Sequence, residues 1–150
     1  MLTMSGKIPL IVSIYGGPAA QWVRKGVPDP FDEILSRRGF AIFSVDNRGT
    51  PGRGRKFQTA IRHEFGAIEL KDQLTALDQL LAEYPQLDPN RLGIWGWSNG
   101  GSMTLYAMTH SGRFRAGVAV APVTNLANYD SIYMERYLGL LKQDKAGYEQ

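Results

Sequence analysis

The chain has 150 residues, 43% hydrophobic and 21% charged, a composition typical of one soluble globular domain. It has no cysteine, which excludes a disulfide framework and any metal site built on thiolates. A formal charge of +3 is too small to demand a nucleic-acid partner. No apolar run approaches the roughly 18–20 residues that span a bilayer, so no membrane segment is predicted.

Four short apolar runs predict four strands, at residues 8–14, 40–45, 92–95 and 116–121. Each run is continuous rather than alternating, as expected of strands covered on both faces in a parallel sheet.

Helical patterns lie between these runs. Residues 67–84 place leucines at positions 70, 74, 77 and 81, on one face of a helix. A second helix is predicted over 99–110, and a third over 29–38 with Asp29 as N-cap and Pro30 at its first position. The alternation predicts an α/β fold, a mostly parallel sheet with flanking helices, with residues 1–150 in one domain.

The glycine-rich stretch 47–56, NRGTPGRGRK, is predicted to be a loop. It is open to three interpretations: a solvated turn, a phosphate cradle or a structural loop specific to a family. Its glycines match neither the dinucleotide-binding pattern nor the P-loop.

Residues 96–100, GWSNG, fit the pattern G-x-S-x-G. The motif follows an apolar strand and opens a helix, as a nucleophile elbow requires, so Ser98 is the candidate nucleophile. The two glycines are needed because residues two before and two after a serine on so sharp a turn come close together. The alternative is that the glycines merely end a strand and Ser98 caps the helix.

A nucleophilic serine also needs hydrogen-bond donors for the oxyanion that forms after its attack. The backbone N–H of Asn99, the residue after the nucleophile, is one candidate. The second donor is expected from the loop after an earlier strand, where residues 14–18 read IYGGP.

Four segments together resemble the catalytic domain of the prolyl oligopeptidase family, and most closely its dipeptidyl peptidase IV branch. They are VSIYGGP, VDNRGTPGRGRKF, IWGWSNGG and VAPVTNLANYDSIYMERYLG. The similarity runs from about residue 8 to residue 140. It implies a partial α/β-hydrolase fold, joined in the family to a β-propeller. It also implies hydrolysis of short peptides, often after proline, by Ser, Asp and His in that chain order, without metal or cofactor.

Carried onto this chain, the resemblance makes Ser98 the nucleophile, and Asn99 N–H with the Tyr15 hydroxyl the oxyanion donors. The pocket for the residue before the cut bond would be formed by Val123, Leu126, Tyr129 and Tyr133. The resemblance also favours a structural role for the loop 47–56.

Two positions depart from the dipeptidyl peptidase IV pattern. Asn99 stands where that branch commonly has a tyrosine, and Leu126 aligns with a tryptophan. Flat rings grip a pyrrolidine ring, so the loss of both is expected to weaken a preference for proline while peptide hydrolysis remains.

Neither histidine of the chain is a convincing base. His63 precedes the serine, and His110 lies twelve residues after it along the same predicted helix, roughly 18 Å away. Asp130 is assigned to a structural segment. The family order therefore predicts the acid and the histidine beyond Gln150, so this chain is expected to be the N-terminal half of a catalytic domain, inactive and poorly stable alone.

The expected partners are a peptide substrate, the propeller and the rest of the catalytic domain, with oligomeric state left open. Within hydrolases, an esterase is the alternative. A non-catalytic interaction domain is a second, and a nucleic-acid binder using Arg48, Arg53, Arg55 and Lys56 is the weakest.

Overall fold

A computed structural model describes residues 6–149. The elements in chain order are β1 (Ile8–Ser13), α1 (Pro30–Arg37), β2 (Ala41–Phe43), α2 (Arg55–Gln58), α3 (Ala67–Glu83), β3 (Leu87–Trp97), α4 (Asn99–His110), β4 (Ala116–Val120), a 3-10 turn (Leu126–Asn128), α5 (Ser131–Leu138) and α6 (Lys145–Tyr148). The four predicted strands and three predicted helices are all present, which confirms the α/β class.

The strands form one sheet in the order β2-β1-β3-β4, and every neighbouring pair is parallel. The chain moves outward from β1 to β2 and then returns past β1 to β3. The direction of winding therefore reverses between β1 and β3. In open parallel sheets, ligands bind beyond the carboxyl ends of the strands at such a reversal.

The core lies between the sheet and the helices α3 and α4. The leucine stripe of α3 buries Leu70 and Leu77 against Leu10, Val12 and Ile94 of the sheet. The apolar spacing in the sequence thus places α3 on this face because burial of the stripe removes apolar surface from water.

Helix α1 packs on the opposite face of the sheet. The Asp29 carboxylate accepts a hydrogen bond from the N–H of Phe31 at 2.8 Å, which confirms the predicted cap. The Phe31 ring meets Trp95 of β3 edge-on, with ring centroids 4.8 Å apart.

Three strands differ appreciably from the prediction. β2 covers only Ala41–Phe43 of the predicted 40–45. β3 begins at Leu87 rather than at residue 92, because Asp88 accepts hydrogen bonds from Asn90 N–H and the Arg91 guanidinium and holds an irregular extended segment. β4 was predicted to be covered on both faces, and this is wrong for its first half: Ala116, Gly117 and Val118 are exposed. β4 is the last strand of the sheet, and within the described part of the chain no further strand pairs with its outer edge.

The segment after β4 folds into a small second cluster. Met134, Leu138 and Tyr148 are buried together, with Phe65 and Leu126 packed against them. Asp130 caps α5, since its carboxylate accepts from the N–H of Tyr133 at 3.2 Å. In the part of the chain from residue 6 to residue 149, no helix has the length and apolar character needed to cross a membrane.

Candidate active site

Ser98 occupies a strained turn between β3 and α4. Its backbone has φ 56° and ψ −119°, a conformation that costs a non-glycine residue about 1–3 kcal/mol. The turn is held by the Ser98 N–H, which donates to the carbonyl of Val120 at 2.9 Å. Ser98 stands at the N-cap position, yet its side chain makes no capping hydrogen bond to α4. The Ser98 hydroxyl therefore does not cap α4, which argues against the alternative that Ser98 is only a helix cap.

The two flanking glycines allow this turn to form. A Cβ on Gly96 would lie 2.5 Å from the carbonyl carbon of Gly100, and a Cβ on Gly100 would collide with the carbonyl oxygen of Ile14. Gly101 also lets α4 approach the end of β4, where an added Cβ would lie 2.8 Å from the Val120 oxygen. The elbow after β3 thus contacts the end of β1 directly, with no side chain between them.

Tyr15 follows β1 at the same edge of the sheet. It is half-buried, and its ring stacks on Trp22 with centroids 6.0 Å apart and planes 19° from parallel. Burial raises the pKa of the Tyr15 phenol above its ordinary value, and the nearby phenols of Tyr129 and Tyr137 raise it further. The hydroxyl therefore keeps its proton and remains a hydrogen-bond donor at neutral pH.

Asn99 begins α4 directly after the serine. At the first position of a helix, a backbone N–H has no carbonyl of its own helix to bond. The side chain of Asn99 points toward the loop after β1, where Nδ2 donates to the carbonyl oxygen of Tyr15 at 3.0 Å.

The predicted pocket residues fall into two groups. Tyr129 and Tyr133 lie with Tyr15: the Tyr129 and Tyr133 rings meet edge-on at 5.9 Å. Burial raises the pKa of the Tyr133 phenol, and the neighbouring Tyr15 phenol raises it further. Val123 and Leu126 instead line an open cleft of about 270 Å³ along α4.

Asn99 also lines this cleft, together with Phe65, Glu69 and Ser102. The hydroxyl of Ser102 joins the two sides, because it donates to the carbonyl of Val123 at 2.8 Å and accepts from the Val123 N–H at 2.9 Å. This pair of bonds ties the segment after β4 to the helix that carries Ser98.

Both histidines have structural contacts away from the serine. The Nδ1 of His63 lies 2.8 Å from an Asp144 carboxylate oxygen and 3.0 Å from the carbonyl of Leu138. His110 ends α4 and stacks on Tyr106, with centroids 3.9 Å apart.

Buried polar groups that were not predicted from the sequence lie beneath the Tyr15 loop. Asp46 accepts from the backbone N–H groups of Trp22 and Val23 and so holds the segment that carries the Trp22 ring. Asn47 is 2% exposed and donates to the carbonyl of Gly16 at 3.0 Å. Their signal in the sequence is a pair of polar residues at the carboxyl end of an apolar strand run.

The loop 47–56 has internal partners for two of its cations. Arg48 forms a two-pronged ion pair with Asp72 of α3, with the closest N–O distance at 2.6 Å. Arg53 lies 3.7 Å from the Asp46 carboxylate and over the ring of Phe57. These pairs anchor the loop to the domain, as the structural interpretation requires.

This chain is similar in sequence and in structure to proteins named as dipeptidyl peptidases. Human dipeptidyl peptidase 8 is 42% identical over 146 residues, which are 95% of this chain and 16% of that protein. The crystal structure of Porphyromonas gingivalis dipeptidyl peptidase 4 superposes with a TM-score of 0.89 at 36% identity, covering 97% of this chain and 21% of that one. This structural match confirms the predicted α/β-hydrolase fold. The chain spans about a sixth of the length of the curated relatives that it matches.

The model of the prolyl oligopeptidase family of peptidases matches residues 30–150, more than half of the chain. That match agrees with the family resemblance drawn from the four motifs. This chain belongs to the prolyl oligopeptidase family.

Proposed function

We propose that this chain carries the nucleophile and the oxyanion donors of a serine peptidase that cleaves short peptides. The observation that carries the proposal is the backbone of Ser98: a strained serine between a buried strand and a helix, with a hydroxyl not engaged in capping. The position of Ser98 beside the end of β1 also supports the proposal, because the loop that carries Tyr15 begins there. Because relatives are named dipeptidyl peptidases, peptides from which a dipeptide can be released are the first substrate class to test.

In the proposed reaction, the Ser98 Oγ attacks the scissile carbonyl carbon and its proton passes to a base. The oxyanion accepts hydrogen bonds from Asn99 N–H and the Tyr15 hydroxyl. The base then protonates the leaving amine as the C–N bond breaks, and water hydrolyses the acyl-enzyme. Val123, Leu126, Tyr129 and Tyr133 would contact the residue before the cut bond.

We further propose that residues 1–150 are the N-terminal half of the catalytic domain, and that the acid and the histidine come from other parts of the protein. The contacts of His63 with Asp144 and Leu138, and the place of His110 at the far end of α4, support this. Residues 1–150 alone are therefore expected to hydrolyse peptides negligibly.

The test compares the full-length protein with its Ser98→Ala and Ser111→Ala variants. Hydrolysis of an Ala-Pro amide and labelling by a fluorophosphonate should both be lost in Ser98→Ala, by at least about 1,000-fold in rate. Ser111, at the other end of α4, serves as the matched control and should leave both unchanged. Full activity in Ser98→Ala would refute Ser98 as the nucleophile. Neither hydrolysis nor labelling by the wild type would favour the non-catalytic interaction domain, and faster cleavage of a short-chain ester would favour an esterase.

A further inference from the structure

Two asparagine side chains hold consecutive carbonyl groups of the Tyr15 loop. Asn99 Nδ2 donates to the carbonyl oxygen of Tyr15 at 3.0 Å, and Asn47 Nδ2 donates to that of Gly16 at 3.0 Å. The two asparagines come from different elements, since Asn99 begins α4 and Asn47 follows β2. Asn99 therefore holds the peptide group between Tyr15 and Gly16, and Asn47 holds the next one, between Gly16 and Gly17.

The orientation of Asn47 is set by a buried network. Its Oδ1 accepts from the Nε2 of Gln73 at 2.9 Å, and the same Gln73 nitrogen donates to the carbonyl of Val45. Its Nδ2 donates to the carbonyl of Arg48 at 2.7 Å as well as to Gly16. Since Asn47 and Gln73 are 2% and 3% exposed, water does not replace these bonds, and the amide nitrogen is held toward Gly16.

Asn99 lies in close contact with the same loop. A Cβ placed on Gly17 would lie 3.0 Å from the Asn99 side chain and 2.8 Å from the Tyr15 ring. Glycine at this position thus lets the amide of Asn99 reach the Tyr15 carbonyl. Since Asn99 follows Ser98 directly, this bond links the nucleophile to the loop that carries the hydroxyl.

We propose that Asn47 and Asn99 are positioning residues that hold the Tyr15 hydroxyl at its working distance from Ser98. This inference rests on the proposed function, in which Tyr15 donates to the oxyanion. A rotation of roughly ten degrees at the backbone moves the end of a tyrosine side chain by about 1 Å, and a misplacement of that size can cost up to about 100-fold in rate. The stacked Trp22 ring constrains the side chain of Tyr15, while the two amides constrain its backbone.

The test is a double-mutant cycle in the full-length protein. Asn47→Asp keeps the size of the side chain and an acceptor for Gln73 but loses the donor to Gly16, and Asn99→Ala loses the donor to Tyr15. Each is expected to lower kcat about tenfold, and less than about twofold when Tyr15 is already phenylalanine, because the hydroxyl being positioned is then absent. Asn90→Ala, on the exposed first half of β3, is the control and should leave kcat unchanged.

Equal losses in the Tyr15 and Tyr15→Phe backgrounds would overturn the proposal, because the asparagines would then act on something other than the hydroxyl. So would unchanged kcat in both asparagine variants. A merely structural role would lower the thermal midpoint without this dependence on Tyr15.

Hydrogen exchange gives a readout that does not depend on activity. Peptides covering residues 14–18 should exchange several-fold faster in both asparagine variants than in wild type, while peptides covering residues 87–92 should not change. Unchanged exchange at 14–18 would overturn the proposal. If Ser98→Ala retains activity, the proposed function fails, and hydrogen exchange alone then decides whether the two amides hold the loop.

Discussion

Ser98 is held in its strained conformation by its surroundings rather than by its own preference. The left-handed φ of a serine is unfavourable by about 1–3 kcal/mol, and it persists because the turn is packed between the end of β1 and β4. Gly100 makes that packing possible, since the position of a Cβ there is already taken by the carbonyl oxygen of Ile14. A side chain at this position would separate the elbow from the Tyr15 loop.

Gly100→Ala is therefore expected to lower the free energy of unfolding by about 3 kcal/mol, because backbone atoms must move to admit the methyl group. The measurement is urea unfolding of the variant beside Gly112→Ala, which introduces the same methyl group where no heavy atom lies within 4 Å. The control should change stability by less than about 0.5 kcal/mol. Equal effects of the two substitutions would contradict the close contact between α4 and β1.

Helix α3 begins with a buried carboxyl group. Glu69 is 2% exposed and accepts a hydrogen bond from the N–H of Gly66 at 2.9 Å. Burial raises the pKa of the Glu69 carboxyl to about 7, although the hydrogen bonds from its own N–H and that of Gly66 favour its charged form. The folded state therefore binds this proton more tightly than the unfolded state, where the pKa is near 4.5.

The sign of the pH dependence follows from linkage. Stability from the protonated Glu69 is fully present below about pH 4.5 and is lost as the pH rises to about 7, a change on the order of 2–3 kcal/mol. Glu69→Gln removes the titration, so its free energy of unfolding should vary less over this range than that of wild type. Urea unfolding at pH 4.5, 6 and 7.5 measures the difference, with the exposed Glu83→Gln at the other end of α3 as control. A Glu69→Gln curve parallel to wild type would refute the shift.

The two faces of the whole sheet are covered unequally. Among the helices of residues 6–149, α3 and α4 cover one face, whereas α1 alone packs on the other. Gly117 of β4 faces α4, since a Cβ there would meet Met108, and the pleat turns Val118 to the opposite face, where it is 60% exposed. Trp97 at the end of β3 is 61% exposed. An apolar edge strand left in water favours association with another chain.

Residues 1–150 alone are accordingly expected to self-associate, and Val118→Lys should reduce that association because a charge on an edge strand opposes strand pairing. Light scattering as a function of protein concentration measures this. Ile132→Lys is the matched control, since Ile132 is 86% exposed on α5, outside the sheet. A wild-type monomer with cooperative thermal unfolding, or equal effects of the two lysine variants, would contradict the prediction.

The local elements could be predicted because each depends on residues close together in the chain. The helix over α1 follows from Asp29 and Pro30, and that over α3 from its leucine spacing. The strand–turn–helix around Ser98 follows from G-x-S-x-G after an apolar run. The helix α5 was missed, although Asp130 at its N-cap is the usual local signal.

Local patterns were enough to predict the fold class and the turn at Ser98, because apolar periodicity, caps and glycine motifs act within a few residues. The family was predicted from the resemblance of four segments. The contacts between distant residues could be read only from the folded chain. The bond from Asn99 to Tyr15 spans 84 positions, and that from Asn47 to Gly16 spans 31. Such pairs depend on the order of strands in the sheet, which places the ends of β1 and β3 side by side, and no local pattern carries that information.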